Sequence, residues 1–134
     1  MTVSNMERYG KVAVLMGGTS GEREISLRSG QAVLKALLNV GVDAHSVDVD
    51  KTVFRTLQEG NFDRAFIALH GCGGEDGAMQ GGLEVLGLPY TGSDVMASSI
   101  CMDKLMTKKI WSTSGVRSPK SIPVDAVVDY QQIG

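Results

Sequence analysis

The sequence predicts an α/β fold, a parallel sheet with helices flanking it. Three observations predict it. Two short apolar runs, Lys11–Met16 and Ala65–Leu69, lack clean alternation, as strands covered on both faces do. Each run ends at a glycine-rich stretch, Gly17–Gly21 after the first and Gly71–Gly81 after the second. Helix-forming residues follow each stretch. Strand, glycine-rich loop and helix in that order open a doubly wound sheet, where ligands bind at the carboxyl ends of strands.

The elements follow in order. The first strand, Lys11–Met16, is broken by Gly17 and Gly18. A helix over Ile25–Val40 is predicted from apolar residues at Ile25, Ala32, Val33, Ala36, Leu37 and Val40, with Gly41 as its natural stop. Gly30 within it costs about 1 kcal/mol against alanine. Asp43–Val49 alternates weakly and reads as a second strand, with Val47 and Val49 on one face. His45 there reads as an exposed or half-buried strand histidine. Thr52 is a fair N-cap for a short helix through Leu57, which Gly60 ends. The third strand is Arg64–Leu69, and Leu83–Leu86 can close a helical turn. Leu88–Ser93 brings the pattern to βαβαβαβ, which implies right-handed crossovers in a parallel sheet. Beyond Ser93 the composition changes. Asp94–Cys101 forms a short helix capped by Ser93. Asp103 caps a second, Lys104–Ser114, apolar at Leu105, Met106, Ile110 and Trp111 and ended by Gly115. Val116–Val124 reads as a strand broken by Pro119 and Pro123, and Asp125–Gly134 starts a further element.

Composition narrows the function classes. The chain has 134 residues, 43% hydrophobic and 21% charged, an ordinary globular mixture long enough to bury a core. A net charge of −2 with no basic block argues against a nucleic-acid surface. No run reaches membrane-span length, and Met1–Arg8 lacks an apolar signal core and reads as a frayed lead-in. The expectation is a cytoplasmic protein. Cys72 and Cys101 offer neither a disulfide framework nor a metal spacing and read as reduced thiols. No metal ligand is assigned.

The first loop, Gly17–Glu24, is not a P-loop and lacks the Gly-x-Gly-x-x-Gly dinucleotide order. Glu22 and Glu24 stand at a helix start, where a phosphate would meet like charge and an ammonium would be welcome. The loop therefore suits an amino acid better than a phosphate. Equally, both acids can simply complement the helix dipole, worth about 0.3–1 kcal/mol each. The second loop, His70–Gly81, holds five glycines in twelve residues. That composition is costly to order, and close approach of backbone to a ligand would justify it. His70 stands directly after a strand, where a histidine either bonds neighbouring backbone or meets a ligand. Glu75 and Asp76 can act as paired acids, or hold the loop and cap the following helix.

These segments resemble a known family. His70-Gly71-Cys72-Gly73-Gly74-Glu75-Asp76-Gly77-Ala78-Met79-Gln80-Gly81 resembles the signature His-Gly-x-x-Gly-Glu-Asp-Gly-x-x-Gln-Gly of the D-alanine–D-alanine ligases at every fixed position. Gly17–Ser26 is similar to the family's Gly-Gly-x-Ser-x-Glu-Arg-x-x-Ser, Leu88–Gly92 to its Leu-Pro-Tyr-Thr-Gly, and Met102-Asp103-Lys104 to its Met-Asp-Lys. The resemblance covers Lys11 to Pro119. It implies an ATP-grasp ligase of peptidoglycan precursor synthesis, and so of cell wall biogenesis and cell shape. It implies a Rossmann-like N-terminal domain over residues 1–93 and the start of an incomplete ATP-grasp domain over 94–134. It implies that Glu22 orients the first D-alanine by its amino group, as a catalytic and substrate-binding residue. His70 would lie at that D-alanine's carboxylate, and Lys104 at the ATP phosphates. ATP and Mg2+ are the implied cofactors, held mainly by parts of the family chain beyond this sequence. The family is often dimeric, so a homodimer is an implied partner state. Family chains are more than twice as long, so the expectation is an inactive N-terminal part of such a ligase. The alternatives are a self-standing amino-acid-binding module, which would end near Gly92, and an unrelated nucleotide-binding domain.

Overall fold

The computed structural model describes residues 6–121. After a single 3-10 turn at Glu7–Tyr9, the elements are β1 (Lys11–Gly17), α1 (Arg23–Asn39), β2 (Asp43–Val49), α2 (Val53–Glu59), β3 (Arg64–Ile67), α3 (Ala78–Val85), α4 (Val95–Met102) and α5 (Lys104–Thr113). The three strands form one parallel sheet in the order β2-β1-β3. Leu15 stands between Val47 and Ile67 in register. All three strands therefore end on the same side, and their following loops meet there.

The pleat sends alternate β1 residues to opposite faces. Ala13 and Leu15 join Val47, Ala65, Val53 and Leu57 of α2, and Met79 and Leu83 of α3. Val12, Val14 and Met16 join Ala44 and Ala68 under Leu27, Val33, Leu34 and Leu37 of α1. Helices cover both faces, which is why β1 carries no polar alternation.

α1 buries only part of the face its apolar spacing suggested. Ile25 and Val40 are 48% and 57% exposed, and Ala32 and Ala36 are also exposed. The face on the sheet runs through Ser26 and Gly30, both buried, with Val33 and Leu37 beyond them. A Cβ on Gly30 would stand 2.5 Å from Met16 Cβ, so the missing side chain is what lets the helix seat on β1. Small residues mark the tightest part of the contact, and Leu27, Val33, Leu34 and Leu37 pack around it.

Two caps and two strands also differ from expectation. Thr52 occupies the N-cap position of α2, but its side chain makes no cap bond. The Asp50 carboxylate instead accepts from the Thr52 amide and hydroxyl, both at 2.7 Å. Asp94, not Ser93, caps α4, accepting from the Ala97 amide at 2.8 Å. An ionised oxygen is the better acceptor in each case. Asp103 caps α5 as expected. β3 stops at Ile67, two residues early. The fourth strand is reduced to one parallel bridge, Ala65 to Tyr90. The strand expected over Val116–Val124 does not form over residues 116–121, which are irregular, and the rest of that span and Asp125–Gly134 lie outside the described residues, as do Met1–Asn5.

Gly30→Ala tests the seating of α1. Alanine is the better helix former by about 1 kcal/mol, but overpacking a tight contact costs about 1–3 kcal/mol. The urea midpoint should fall with an unchanged slope; a raised midpoint would show that α1 and β1 have room to spare.

Candidate functional site

Both glycine-rich loops leave from the carboxyl ends of neighbouring strands, and a buried serine joins their roots. Ser26 Oγ accepts from the Gly17 amide at 2.9 Å and donates to the Ala68 carbonyl at 2.7 Å. Ser20 Oγ then donates to the His70 carbonyl at 2.8 Å and accepts from the Glu22 amide at 3.2 Å. Arg23 holds the first loop from below. Its two terminal nitrogens meet the Asp48 carboxylate at 2.7 and 2.6 Å, and one also donates to the Gly18 carbonyl at 3.2 Å. That bidentate pair raises the Arg23 pKa and holds the Asp48 carboxyl below its ordinary value.

The second loop is tied by its own acids. Glu75 accepts from the Gly71 amide at 2.7 Å. Asp76 accepts from the Gly73 amide at 2.8 Å and the Ala78 amide at 3.0 Å. Those two amides hold the Asp76 carboxyl below its usual range, and the carboxylate in turn pushes the Cys72 thiol up. So Glu75 and Asp76 build the loop and start α3, the second of their two sequence readings. Gln80 Nε2 closes the loop's far side on the Gly74 carbonyl at 2.9 Å.

The two loops touch at Gly71. Its φ is +69°, and a Cβ there would stand 2.6 Å from Glu22 Oε2. The exposed Glu22 carboxylate therefore lies over the backbone beside His70. A cavity of about 270 Å³ opens next to this contact, lined among others by Gly18, Thr19, Ser20, Asp50, His70 and Gly74. A second, of about 490 Å³, lies on the α4 side, lined among others by Ser29, His70, Glu75, Gln80 and Ser98. His70 lines both. Its ring is held by Ser29 Oγ, 3.0 Å from Nε2, with Glu75 Oε1 3.8 Å from Nδ1.

Of the residues singled out from sequence, His70 lines both cavities, Glu22 lies against Gly71 beside it without lining either, and Lys104 is out of both. Lys104 stands on the first turn of α5, its ammonium on the Cys101 carbonyl at 2.8 Å. His45 is exposed and bonded to Asp43 at 2.7 Å. Ser20 and Ser29 were not singled out. Ser20 is a fixed position of the Gly17–Ser26 segment, which could have flagged it; Ser29, three residues past Ser26, carries no such signal. Among the described residues no group of three His, Cys, Asp or Glu side chains could hold a metal ion, so they do not fit a magnesium site by themselves. No helix among the described residues is long and apolar enough to cross a membrane.

α4 also belongs to this region. Ser99 Oγ donates to the Asp76 carbonyl at 2.7 Å, so the helix after Ser93 rests on the second loop.

Comparisons with known proteins point one way. The family model described as the D-ala D-ala ligase N-terminus matches residues 49–93. A curated D-alanine–D-alanine ligase from Azoarcus sp. (strain BH72) is 54% identical over 127 residues, covering 95% of this chain and 42% of that protein. One from Nitrosococcus oceani is 61% identical over 107 residues, covering 80% and 34%. The crystal structure of a D-alanine–D-alanine ligase from Bacillus anthracis superposes with TM-score 0.77 at 33% identity, covering 92% of this chain and 42% of that one. The same enzyme complexed with ATP gives TM-score 0.75 at 32% identity, covering 92% and 44%. The chain thus spans well under half the length of these relatives.

The loop acids carry a pH prediction. Asp48 and Asp76 have folded values below the ordinary 3.8. A lowered carboxyl stabilises fully above its unfolded value and loses that contribution as pH falls through its folded value. Unfolding midpoints should therefore hold down to about pH 4 and fall below it. Asp76→Asn should be less stable at pH 7 and show a shallower acid limb; an acid limb as steep as the parent's would mean that Asp76 does not hold the loop.

Proposed function

The chain belongs to the D-alanine–D-alanine ligase family, matching its N-terminal portion, and from that premise we propose that its two strand-end loops form one side of the first D-alanine site of such a ligase. The contact of Glu22 with Gly71 carries this reading, because it sets an exposed carboxylate beside the residue whose imidazole lines the cavity. A zwitterion needs an acceptor for its ammonium and a donor for its carboxylate. Glu22 supplies the first. An exposed carboxylate at a helix start repels phosphate and attracts an amine. His70, which lines the cavity, marks the place of the other end.

In the proposed reaction ATP phosphorylates the carboxylate of this D-alanine, giving an acyl phosphate and ADP. The amine of a second D-alanine attacks the acyl carbon, and phosphate leaves as the peptide bond forms. Glu22 holds the first substrate so that its carboxylate faces the nucleotide. Lys104 meets the ATP phosphates, a point charge on a flexible stem suited to that task. Magnesium, when bound, neutralises phosphate charge, and its ligands are assigned to residues beyond this sequence. The product serves peptidoglycan precursor synthesis in the cytoplasm. We assign residues 1–93 to the amino-acid-side domain and 94–134 to the start of the ATP-grasp domain, and we extend to this chain the homodimer the family is known for. The seat of α4 on the Asp76 carbonyl supports treating 94–102 as integral, against a binding module ending near Gly92.

Two outcomes follow. The 134-residue chain alone should show no D-alanine-dependent ADP release in a coupled assay, and turnover above a heat-killed control would overturn the assignment of most of the nucleotide site elsewhere. In a ligase rebuilt with this chain as its N-terminal portion, Glu22→Gln should weaken kcat/KM for D-alanine by about 10–100-fold and spare the KM for ATP, as loss of one charged hydrogen bond of about 1.5–3 kcal/mol requires. Lys104→Ala should do the reverse. Equal losses for both substrates in Glu22→Gln would make the first loop a phosphate site.

A further inference from the structure

The His70 ring is oriented from behind by a residue that no sequence motif pointed to. Ser29 sits in the second turn of α1, half-buried, with its hydroxyl 3.0 Å from His70 Nε2. The same oxygen stands 3.0 Å from the Ile25 carbonyl and 3.1 Å from the Ser26 carbonyl. A hydroxyl has one proton to give and two lone pairs to offer. Both carbonyls are acceptors only, so neither can donate to Ser29. If the hydroxyl gave its proton to Nε2, it would face two carbonyl oxygens at hydrogen-bond distance with nothing between them but lone pairs. All three contacts become attractive only when the proton goes to the carbonyl side and Nε2 carries its own proton toward Oγ. Glu75 does not compete for Nε2, because it approaches Nδ1, at 3.8 Å, too far for a hydrogen bond.

We propose that Ser29 is a positioning residue for His70, accepting a hydrogen bond from its Nε2–H and so fixing both the ring's rotation and its neutral tautomer at the mouth of the proposed D-alanine site. The hydroxyl can do this because its own proton is already committed to the helix backbone. Ser29 is one helical turn from Ser26, which pins the same segment by its main chain at Ala68. The helix therefore holds both the strand end and the side chain that leaves it. The significance of the device rests on His70 facing substrate, but the tautomer itself is a property of the free chain.

The test is nitrogen-15 NMR of the imidazole rings at a pH above their titration, with no substrate present. The chain has two histidines, so His45→Gln leaves His70 alone in the spectrum. The parent should show Nε2 as the protonated nitrogen and Nδ1 as the bare one. Ser29→Ala, a substitution any helix tolerates, should lower the Nε2–H to Nδ1–H ratio by about fivefold, the equivalent of one neutral hydrogen bond. Ser29→Thr, which keeps the hydroxyl, should restore it. The amide spectrum verifies that each variant is folded, and the parent's tautomer is informative even if one is not. An Nδ1–H tautomer in the parent would overturn the proposal, as would a ratio unmoved in folded Ser29→Ala. Neither outcome depends on D-alanine, so a failure here is distinct from a failure of the ligase reading.

Discussion

One buried hydroxyl joins the parts on which the site depends. Ser26 Oγ accepts from the last amide of β1 and donates to the Ala68 carbonyl just past β3, and its residue is fully buried. Parallel strands end with unpaired backbone groups where the sheet stops. Buried and unsatisfied, each such group costs about 1–3 kcal/mol. Ser26 satisfies one donor and one acceptor at once, and its own helix, α1, begins three residues earlier. The two loops that carry Glu22 and His70 leave from the two atoms it binds or from the residues next to them.

The rest of the site is layered on that joint. Gly30, one turn further along α1, lets the helix approach Met16 closely enough for Ser26 to reach both strands. Arg23 and Asp48 clamp the outer side of the first loop, and Asp76 gathers the amides of the second. With so many glycines, neither loop would hold one shape on backbone preference alone. The acids supply the order, and most are spent on backbone or on arginine. Glu22 and Glu24 are both exposed, and Glu22 is the one that lies at the loop contact, which gives it its proposed role.

Much of this was legible in the sequence. β1 and β2 are plain because continuous apolar runs and weak alternation are what a doubly covered sheet requires. The ends of α2 and α5 followed from Gly60 and Asp103. The buried face of α1 is only partly visible in the apolar spacing: Val33 and Leu37 pack on the sheet, but the closest contact is made by Ser26 and Gly30, which a search for large apolar side chains passes over. Asp94 makes the cap expected of Ser93, and Thr52 holds the N-cap position of α2 with its hydroxyl turned to Asp50 instead of the helix amides. The fourth strand shrank to one bridge at Tyr90, having no partner beyond it among the described residues. Ser29 could not have been found, because its bond to His70 spans 41 residues and exists only once α1 lies on the sheet. Lys104 rests on its motif alone, and its bond to the Cys101 carbonyl adds nothing to its proposed role.

Site-resolved amide exchange in Ser26→Ala tests the joint most directly. The Gly17 amide, deprived of its acceptor, should exchange at least about tenfold faster, the equivalent of about 1.4 kcal/mol. The Gly71 and Gly73 amides of the second loop should follow, while Leu57 in α2, on the opposite face, changes less. Protection at Gly17 equal to the parent's, in a folded variant, would contradict the account and show that the sheet end holds its loops without the serine.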